Sequence, residues 1–361
     1  MKICFFKEFD LFDGLLTRLL NLLRSRNTLL IFSAVILWAI IHVTTAGIAA
    51  AAPRYAVKFA TVAPEGSTWI KHMKMLDKRV RTESGGQIGF RIYAGGIAGD
   101  ELDVLKKIRI GQIQCAAFSG VGFGQILPMV RVLDLPFLFR NYEEIDRVHR
   151  ELRQFFEEAF RDRGFELLSW AEVGNVHIFS KKPIRSVQDL STLKVWAWTG
   201  DPIAKETFSA AGINPIPLAI TDVTTAISTG MVDTVYAPPL GALALQWHTP
   251  MKYMMALPLA HSTGAVLISS KYFEKMPEKL RKLLSKSFDE TMNDLTSVLR
   301  KQNEEAIQLI KESGLTIISV PSGHVLKRYY SIHDQVAQKL VGKIYPKDVL
   351  DRVYDILKRP E

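Results

Sequence analysis

Two segments of this 361-residue chain share one pattern, which constrains the fold more than any other feature of the sequence. In Val104–Ser119 and Val223–Pro238, aligned on Gly111 and Gly230, a valine stands seven residues before the glycine and an isoleucine three before it. An aliphatic residue two positions after each glycine opens a short apolar run. Apolar residues three to four apart predict one face of a helix, and the glycine predicts its left-handed end. The run beyond each glycine predicts a buried strand of a parallel sheet.

This duplication indicates two similar α/β lobes with a cleft between them. A chance match is the alternative, because helix–glycine–strand segments are common. Ligands of open α/β sheets bind beyond the carboxyl ends of the strands. We therefore expect Ala117–Gly120 and Tyr236–Leu240 to face the cleft.

Residues 1–52 predict an export leader. Leu29–Ile41 is a mainly apolar run with arginines shortly before it, and small residues follow at Ala49–Ala52. A positive flank, a short apolar core and a small-residue exit are typical of a secretory signal peptide. A membrane span needs about 20 apolar residues, so cleavage near Ala50–Ala52 is favoured and an uncleaved anchor is the alternative. The stretch Phe5–Leu23 before the core is either an extended leader or an over-long gene start.

The rest of the chain, about 310 residues, is long enough for two modest lobes. Its one cysteine is Cys115, so we expect no disulfide framework. Basic residues are spread along predicted helices with acidic residues between them, as at Glu278, Lys279 and Arg281. This differs from the interleaved basic and aromatic residues that bind single-stranded nucleic acid. The charge pattern indicates a solvated surface and no nucleic-acid partner.

Strands and helices alternate in the exported part, as in β-α-β units. Tyr142–Gly164 is predicted to form one charged helix, and Phe165–Trp170 and His177–Ser180 two separate strands. The longest helix is predicted to begin at Pro277, as an N1 proline, and to end at Ser313. At about 1.5 Å per residue it spans about 55 Å, so we expect it to underlie both lobes. Its apolar stripe comprises Leu280, Leu284, Phe288, Met292, Leu295, Leu299, Ala306 and Ile310.

The sequence contains no recognisable catalytic constellation. The histidines of the exported part have no i, i+4 pair and no accompanying cysteine pair, as a zinc site would need. The segment AFSGVG around Ser119 lacks the glycine that a nucleophile elbow places two residues before its serine. Gly95, Gly96 and Gly99 are not followed by the Lys-Ser/Thr of a phosphate loop. We expect no enzyme activity, no metal and no cofactor.

Five separated motifs follow one another along the exported part, namely FATVAPEGSTW, GGIAGDELDVLKKIRIGQIQCA, VLDLPFLF, KKPIRSVQDLSTLKVW and GINPIPLAITDVTTAISTGMVD. Together they resemble the solute-binding proteins of tripartite ATP-independent periplasmic (TRAP) transporters, over essentially all of Tyr55–Val353. The resemblance implies an α/β, two-lobed periplasmic-binding-protein fold (class II-like) with a cleft between the lobes and a long helix spanning both. It implies lobe I at 53–173 plus 262–301, and lobe II at 174–261 plus 302–361. The implied partners are a small-molecule ligand and the membrane permease subunits of a TRAP transporter.

The chain departs from this family where the family's usual ligand, an organic acid, is held. The family's arginine in the strand after the "LKGLK" turn corresponds to Trp196, and a second arginine corresponds to Val176. A buried carboxylate without its cationic partner is strongly disfavoured, whereas an indole offers a flat apolar surface and one N–H donor. We predict a more apolar ligand, such as an aromatic acid, a lipid or an isoprenoid-like molecule. The residues predicted to touch it are Trp196, Val176, Tyr236, Trp69, Ser119 and Trp198.

Two alternatives stay open at this point. Trp196 and Val176 are equally typical of core residues, with an arginine reaching the ligand from elsewhere, such as Arg131 or Arg185. The alternative function is a periplasmic sensory binding protein that signals its ligand state to a membrane kinase. A further interpretation adds a repeat-protein partner for lipophilic cargo.

Overall fold

Strands and helices alternate through residues 52–359, the range that the computed structural model describes. The strands are β1 (Tyr55–Ala60), β2 (Ile88–Tyr93), β3 (Cys115–Ser119), β4 (Phe165–Ser180), β5 (Trp196–Trp198), β6 (Ile216–Leu218), β7 (Thr234–Ala237), β8 (Tyr253–Met255), β9 (Ala260–Ser269) and β10 (Thr316–Ile318). The predicted leader lies outside this range apart from its last residue. Within the range, no helix combines the length and the apolarity that crossing a membrane would require.

Most of the helices connect these strands, and the last two follow the final strand. They are α1 (Thr68–Glu83), α2 (Glu101–Arg109), α3 (Gly120–Gly124), α4 (Tyr142–Glu151), α5 (Arg153–Arg161), α6 (Val187–Leu190), α7 (Pro202–Ala210), α8 (Val223–Ser228), α9 (Pro239–Ala244), α10 (Ser270–Phe273), α11 (Glu278–Glu312), α12 (Gly323–Leu340) and α13 (Lys347–Leu357). Two 3₁₀ helices, Pro128–Asp134 and Ile220–Asp222, lie in the connections.

The strands form a mixed sheet in the order β10-β8-β4-β9-β3-β1-β2, with β7 paired to β4 and with β5 and β6 as a separate parallel pair. β1 runs parallel to β2 and β3, but β9 runs antiparallel to β3 and β4. β7 is antiparallel to β4 as well. The parallel sheet predicted for the repeat strands holds on one side of β3, where β1 lies, and for β7 only as one isolated parallel bridge between Thr234 and Val195. The other side of each strand is antiparallel, because β4 and β9 return the chain between the two halves of the sheet.

The two repeat segments adopt the helix–turn–strand course that their sequences predict. α2 and α8 end before Gly111 and Gly230, whose φ values of 78° and 71° lie in the left-handed region. A side chain there would be strained, so glycine ends each helix. β3 and β7 follow and begin two residues later than predicted.

Two element boundaries differ from the sequence expectation because tertiary contacts override the local pattern. Phe165–Ser180 is one strand, since β9 pairs with its first part and β7 with its last. The pairing with β9 is irregular between Glu172 and Gly174, but the strand continues through this point. The charged helix predicted over Tyr142–Gly164 is broken into α4 and α5 at Leu152, whose side chain is buried in the core.

The long helix α11 spans both halves of the molecule, as predicted. Every residue of its predicted apolar stripe is buried. The stripe from Leu280 to Leu299 packs into the cluster around β1 and β3, and Ile310 packs into the cluster around β7. Pro277 is the N-cap of the helix rather than its first residue.

The last two helices connect distant parts of the chain. α12 packs against α6 and α7, and α13 packs against α4. Arg359 pairs with Glu144 at 2.9 Å, and the Arg147 side chain donates to the Ile356 carbonyl at 3.3 Å. The C-terminal helices therefore contact both α4 and α7, which lie far apart in sequence.

Candidate functional site

A cavity of about 340 Å³ lies where the two halves of the sheet meet. Its wall is built by the loop after β1, the start of α1, the ends of β3 and β7, the middle of β4, and residues of β5, α9 and α11. Most wall residues are apolar or aromatic. Ala117, Phe118 and Ser119 from one repeat and Tyr236, Ala237, Pro238 and Leu240 from the other contribute to it. The expectation that both repeat strands end at the cleft is confirmed, although Gly120 and Pro239 of the predicted ranges lie outside this wall.

The structure brings all six residues that the sequence predicted to touch the ligand to this one cavity. They are Trp196, Val176, Tyr236, Trp69, Ser119 and Trp198. Their shared location follows from the fold, since β3, β4, β5 and β7 deliver five of them. Contact with a ligand remains a prediction.

Trp196 belongs to the core as much as to the cavity wall. It is 2% exposed, its ring stacks on Tyr236 at 4.8 Å between centroids, and Trp247 packs edge-on at 5.3 Å. Its indole N–H donates to the Leu218 carbonyl at 3.0 Å. The donor that the sequence analysis attributed to Trp196 is therefore already used within the protein. Trp196 contributes apolar surface.

The other two predicted tryptophans differ in their polar atoms. The Trp198 indole N–H donates to Asp100 Oδ2 at 2.9 Å, which links β5 to the N-cap of α2. No described residue accepts a hydrogen bond from the Trp69 indole N–H. Of the three predicted tryptophans, Trp69 is therefore the one whose indole N–H has no acceptor among the described residues.

Glu101 is a cavity residue that the sequence analysis missed. Its carboxylate accepts hydrogen bonds from Ser119 N at 2.8 Å, Ser119 Oγ at 2.9 Å and Gly122 N at 2.8 Å. Burial raises its pKa to about 7, despite these donors, which act in the opposite direction. The sequence signal was an acidic pair opening a helix after a glycine-rich turn. The same pattern is equally typical of ordinary helix capping.

No lysine, arginine or histidine lines the main cavity among the residues that the structure describes. Arg185, one of the arginines considered as a replacement, is exposed and lies outside the cavity wall. Arg131, the other, is 4% exposed and lines a smaller adjoining cavity. Its guanidinium pairs with Asp134 at 3.1 Å and with Asp201 at 2.6 Å, so two carboxylates already offset its charge.

The described part of the chain holds no group of three or more metal-binding side chains. Cys115 is fully buried in β3, and burial raises the pKa of its thiol well above the usual range, which disfavours the reactive thiolate. Burial also raises the pKa of the Tyr236 phenol above its usual range, so this cavity residue is neutral at physiological pH. The site offers apolar surface, neutral hydrogen-bonding groups and the carboxyl group of Glu101.

Comparisons with known proteins agree with this architecture. The family model described as "Bacterial extracellular solute-binding protein, family 7" matches residues 59–339. The C4-dicarboxylate-binding periplasmic protein of Rhodobacter capsulatus is 22% identical over 84% of this chain and 94% of its own length. The sugar acid binding protein of Advenella mimigardefordensis, solved with galactonate, has a TM-score of 0.80 at 20% identity, covering 85% of this chain and 98% of that one. A TRAP periplasmic solute binding protein from Desulfovibrio salexigens, solved with orotic acid, has a TM-score of 0.79 at 18% identity, covering 84% and 99%.

Proposed function

The chain belongs to family 7 of the bacterial extracellular solute-binding proteins, and from this premise we propose that it captures a small, predominantly apolar solute in the periplasm for a TRAP-type membrane permease. The cavity between the two halves of the sheet supports this role. Its volume of about 340 Å³ falls within the range of about 300–1,000 Å³ that is typical of small-molecule sites. Relatives named as periplasmic binding proteins support the location. The solved structure from Desulfovibrio salexigens, described as a TRAP periplasmic solute binding protein, supports the transport partner.

The observation that carries the ligand class is the absence of a cation from the described wall of the main cavity. A carboxylate placed there would lose water without gaining a charged partner, which costs several kcal/mol. It would also lie beside the Glu101 carboxyl group. An apolar or aromatic body, in contrast, gains from contact with Trp69, Trp196 and Leu240. This favours a hydrophobic solute over the C4-dicarboxylates and sugar acids named for relatives.

Binding without turnover is the activity that the wall chemistry favours. Glu101 and Tyr236 are the ionisable side chains of the described wall. Glu101 has both oxygens engaged by Ser119 and Gly122, the pKa of Tyr236 is raised, and no histidine, cysteine or lysine of the described wall lies beside them as an acid–base partner.

Lobe limits of 53–173 plus 262–301 and 174–261 plus 302–361 are part of this proposal. In β4 and β9, Gly174 pairs with Ser262, so two of the predicted boundaries meet side by side. The third lies close by, because the Asn303 side chain on α11 donates to the Val173 carbonyl at 3.0 Å. A hinge through this point would let the halves open around the cavity. The packing of α13 on α4 is an exception, since it joins the C-terminal segment of lobe II to lobe I.

Thermal-shift measurements on the purified protein test the ligand class. Aromatic acids with long apolar bodies, fatty alcohols and isoprenoid alcohols should raise the melting temperature, whereas succinate, malate and sialic acid should leave it unchanged. Strong stabilisation by the dicarboxylates, with no response to the apolar compounds, would contradict the proposal.

A matched pair of variants connects the response to this cavity. Leu240→Arg places a cation in the apolar wall and should abolish stabilisation by apolar compounds. Leu309→Arg makes the same change at a side chain on α11 that is 54% exposed, and should preserve the response. Equal responses from the two variants would place the binding elsewhere.

A further inference from the structure

Asn303, on α11, is a buried polar side chain that holds three residues of the main cavity wall without lining the cavity itself. Its Oδ1 accepts a hydrogen bond from Leu240 N at 3.0 Å. Its Nδ2 donates to the carbonyl oxygens of Val173 and Leu299, each at 3.0 Å. All three partners line the cavity. One amide group therefore joins wall residues from α9, β4 and α11.

The start of α9 depends on this contact, because the sequence before the helix cannot cap it. The first N–H groups of a helix have no acceptor within the helix and are commonly met by a side-chain oxygen of the N-cap residue. The N-cap of α9 is Pro238 and its first residue is Pro239, so Leu240 carries the first N–H. Asn303 accepts from that N–H across 63 positions of sequence. The cap that fixes the start of α9 is therefore supplied by α11.

The same amide group satisfies β4 at its irregular point. Pairing with β9 passes from Glu172 to Gly174 and leaves Val173 without a partner on β9. The Val173 carbonyl accepts from Asn303 instead. Gly174 has a φ of 123°, and a Cβ at this position would overlap the Asn303 side chain. Glycine therefore leaves the room that brings the amide group against the strand.

We propose that Asn303 is a positioning residue of the solute site: by capping α9 from α11, it fixes how closely Leu240 approaches a bound solute and so selects for solute size. This inference rests on the proposed function and adds a size limit to its apolar ligand class. Asn303 acts through Leu240 and does not touch the solute. Loss of the cap frees Leu240 to withdraw, so a small solute loses contact with the wall while a larger one still fills the site.

Two variants of similar size separate the cap from the other contacts of the amide group. Asn303→Asp keeps an oxygen that accepts from Leu240 N, whereas Asn303→Leu removes it. Both variants lose the amide donors to Val173 and Leu299, so both should lower the free energy of unfolding measured with urea. Asn293→Leu introduces leucine at an exposed position of the same helix and should leave stability and binding unchanged.

Two neutral probes that differ by one aromatic ring, 1-naphthylamine and N-phenyl-1-naphthylamine, test the size selection. Each is titrated against the purified proteins at a temperature where all are folded. In Asn303→Leu, the affinity for 1-naphthylamine should fall about tenfold, while the affinity for the larger probe should change less than about twofold. In Asn303→Asp, the ratio of the two affinities should stay within about twofold of the wild-type ratio. A purely structural role would lower stability in both variants without moving this ratio.

Hydrogen exchange in the wild type tests the cap without any variant. Leu240 N–H and Gly241 N–H both lie in the first turn of α9, and no described residue accepts from Gly241 N–H. After correction for intrinsic rates, the Leu240 amide should exchange at least about tenfold more slowly than the Gly241 amide, as read by NMR. Equal rates would show that the Asn303 contact does not persist, and would overturn the inference even if the variants did not fold.

The binding outcomes separate this inference from the proposed function. If both probes bind the wild type and Asn303→Leu changes their affinities equally or not at all, the inference fails and the apolar receptor stands. If Asn303→Asp shifts the ratio as much as Asn303→Leu does, the cap is not the cause and the inference alone fails. If neither probe binds the wild type, the proposed apolar site fails and this inference fails with it.

Discussion

Glu101 shows at the scale of one residue how a side chain can be buried without an opposite charge. Backbone and hydroxyl donors from Ser119 and Gly122 surround its carboxyl group, while the nearby Asp100 opposes ionisation. Burial is the largest effect and raises the pKa of Glu101 from 4.5 to about 7. The folded protein therefore holds this proton more tightly than the unfolded chain does.

The Glu101 carboxyl group should make stability depend on pH. Its contribution is fully present below about pH 4.5, the pKa of the unfolded chain, and is lost as pH rises through about 7. Relative to Glu101→Gln, the free energy of unfolding of the wild type should fall by roughly 2 kcal/mol between about pH 5 and pH 8. Urea unfolding at several pH values measures this difference.

Asp134 also titrates near pH 7, and Glu101→Gln retains it, so the difference between wild type and variant isolates Glu101. The exposed Glu151→Gln serves as the control and should follow the wild type. If the wild type and Glu101→Gln have the same pH dependence, Glu101 does not hold the proton.

Gly120 tests the packing under α3 with one methyl group. Gly120→Ala places a Cβ against Asp134 and should destabilise the protein by about 2 kcal/mol through overpacking. Gly241→Ala, in α9, meets no atom closer than 3.7 Å and should be neutral or slightly stabilising. Chemical denaturation measures both, and equal effects would show that the space beneath α3 is not tight.

Among the elements, α11 shows the best agreement between pattern and structure. An apolar residue every three to four positions predicts a buried stripe, and the stripe is buried from Leu280 to Ile310. The stripe is buried along its length because one face of a single helix meets both apolar clusters.

The buried and exposed faces of α11 predict losses of stability of very different size for the same Leu→Ala substitution. Leu284→Ala removes a fully buried side chain and should lower the free energy of unfolding by about 2–5 kcal/mol. Leu309→Ala changes a side chain that is 54% exposed and should cost less than about 0.5 kcal/mol. Urea titration of both variants decides this, and similar losses would mean that Leu309 is also packed.

The elements predicted less well are those whose limits depend on contacts with residues distant in sequence. β4 was expected as two strands, because its middle, AEVGNV, has polar residues and a glycine. Pairing with β9 carries the strand through that stretch. The break between α4 and α5 has a similar origin, since the charged pattern continues while Leu152 turns into the core.

Across the whole molecule, Arg300 ties together three elements near the predicted hinge. It extends from α11 to Glu172 on β4 at 2.8 Å and to Asp146 on α4 at 2.6 Å. His261 on β9 lies 3.3 Å from the same glutamate. Burial alone would raise the pKa of Glu172, but its contacts with His261 and Arg300 hold it at about 2.

Arg300→Met should leave the Glu172 charge buried with only the His261 contact and destabilise the protein by about 3 kcal/mol or more. Arg153→Met is the matched control, because Arg153 pairs with the more exposed Glu157 and Asp289 and should cost about 1 kcal/mol or less. Denaturation at neutral pH compares the two losses. A loss for Arg300→Met no larger than the control's would show that Glu172 finds another partner or water.

The local sequence pattern was sufficient to predict the features that depend on residues close together in the chain. The repeat helices with their terminal glycines, the α11 stripe, the two-lobed α/β class and the six residues around the cavity follow from periodicity, turn chemistry and family resemblance. Spacing along a helix or strand sets which side chains share a face, so these features are readable from the sequence.

Only the tertiary structure decided which polar atoms are already satisfied and which remain free. Leu218 engages the Trp196 indole, two carboxylates offset Arg131, and Ser119 meets Glu101 across 18 positions of sequence. Hydrogen bonds and ion pairs act over about 3 Å in space, and chain folding brings those partners together regardless of their separation in sequence. The apolar cavity and the buried ion pairs of Arg131 beside it are therefore properties of the folded molecule.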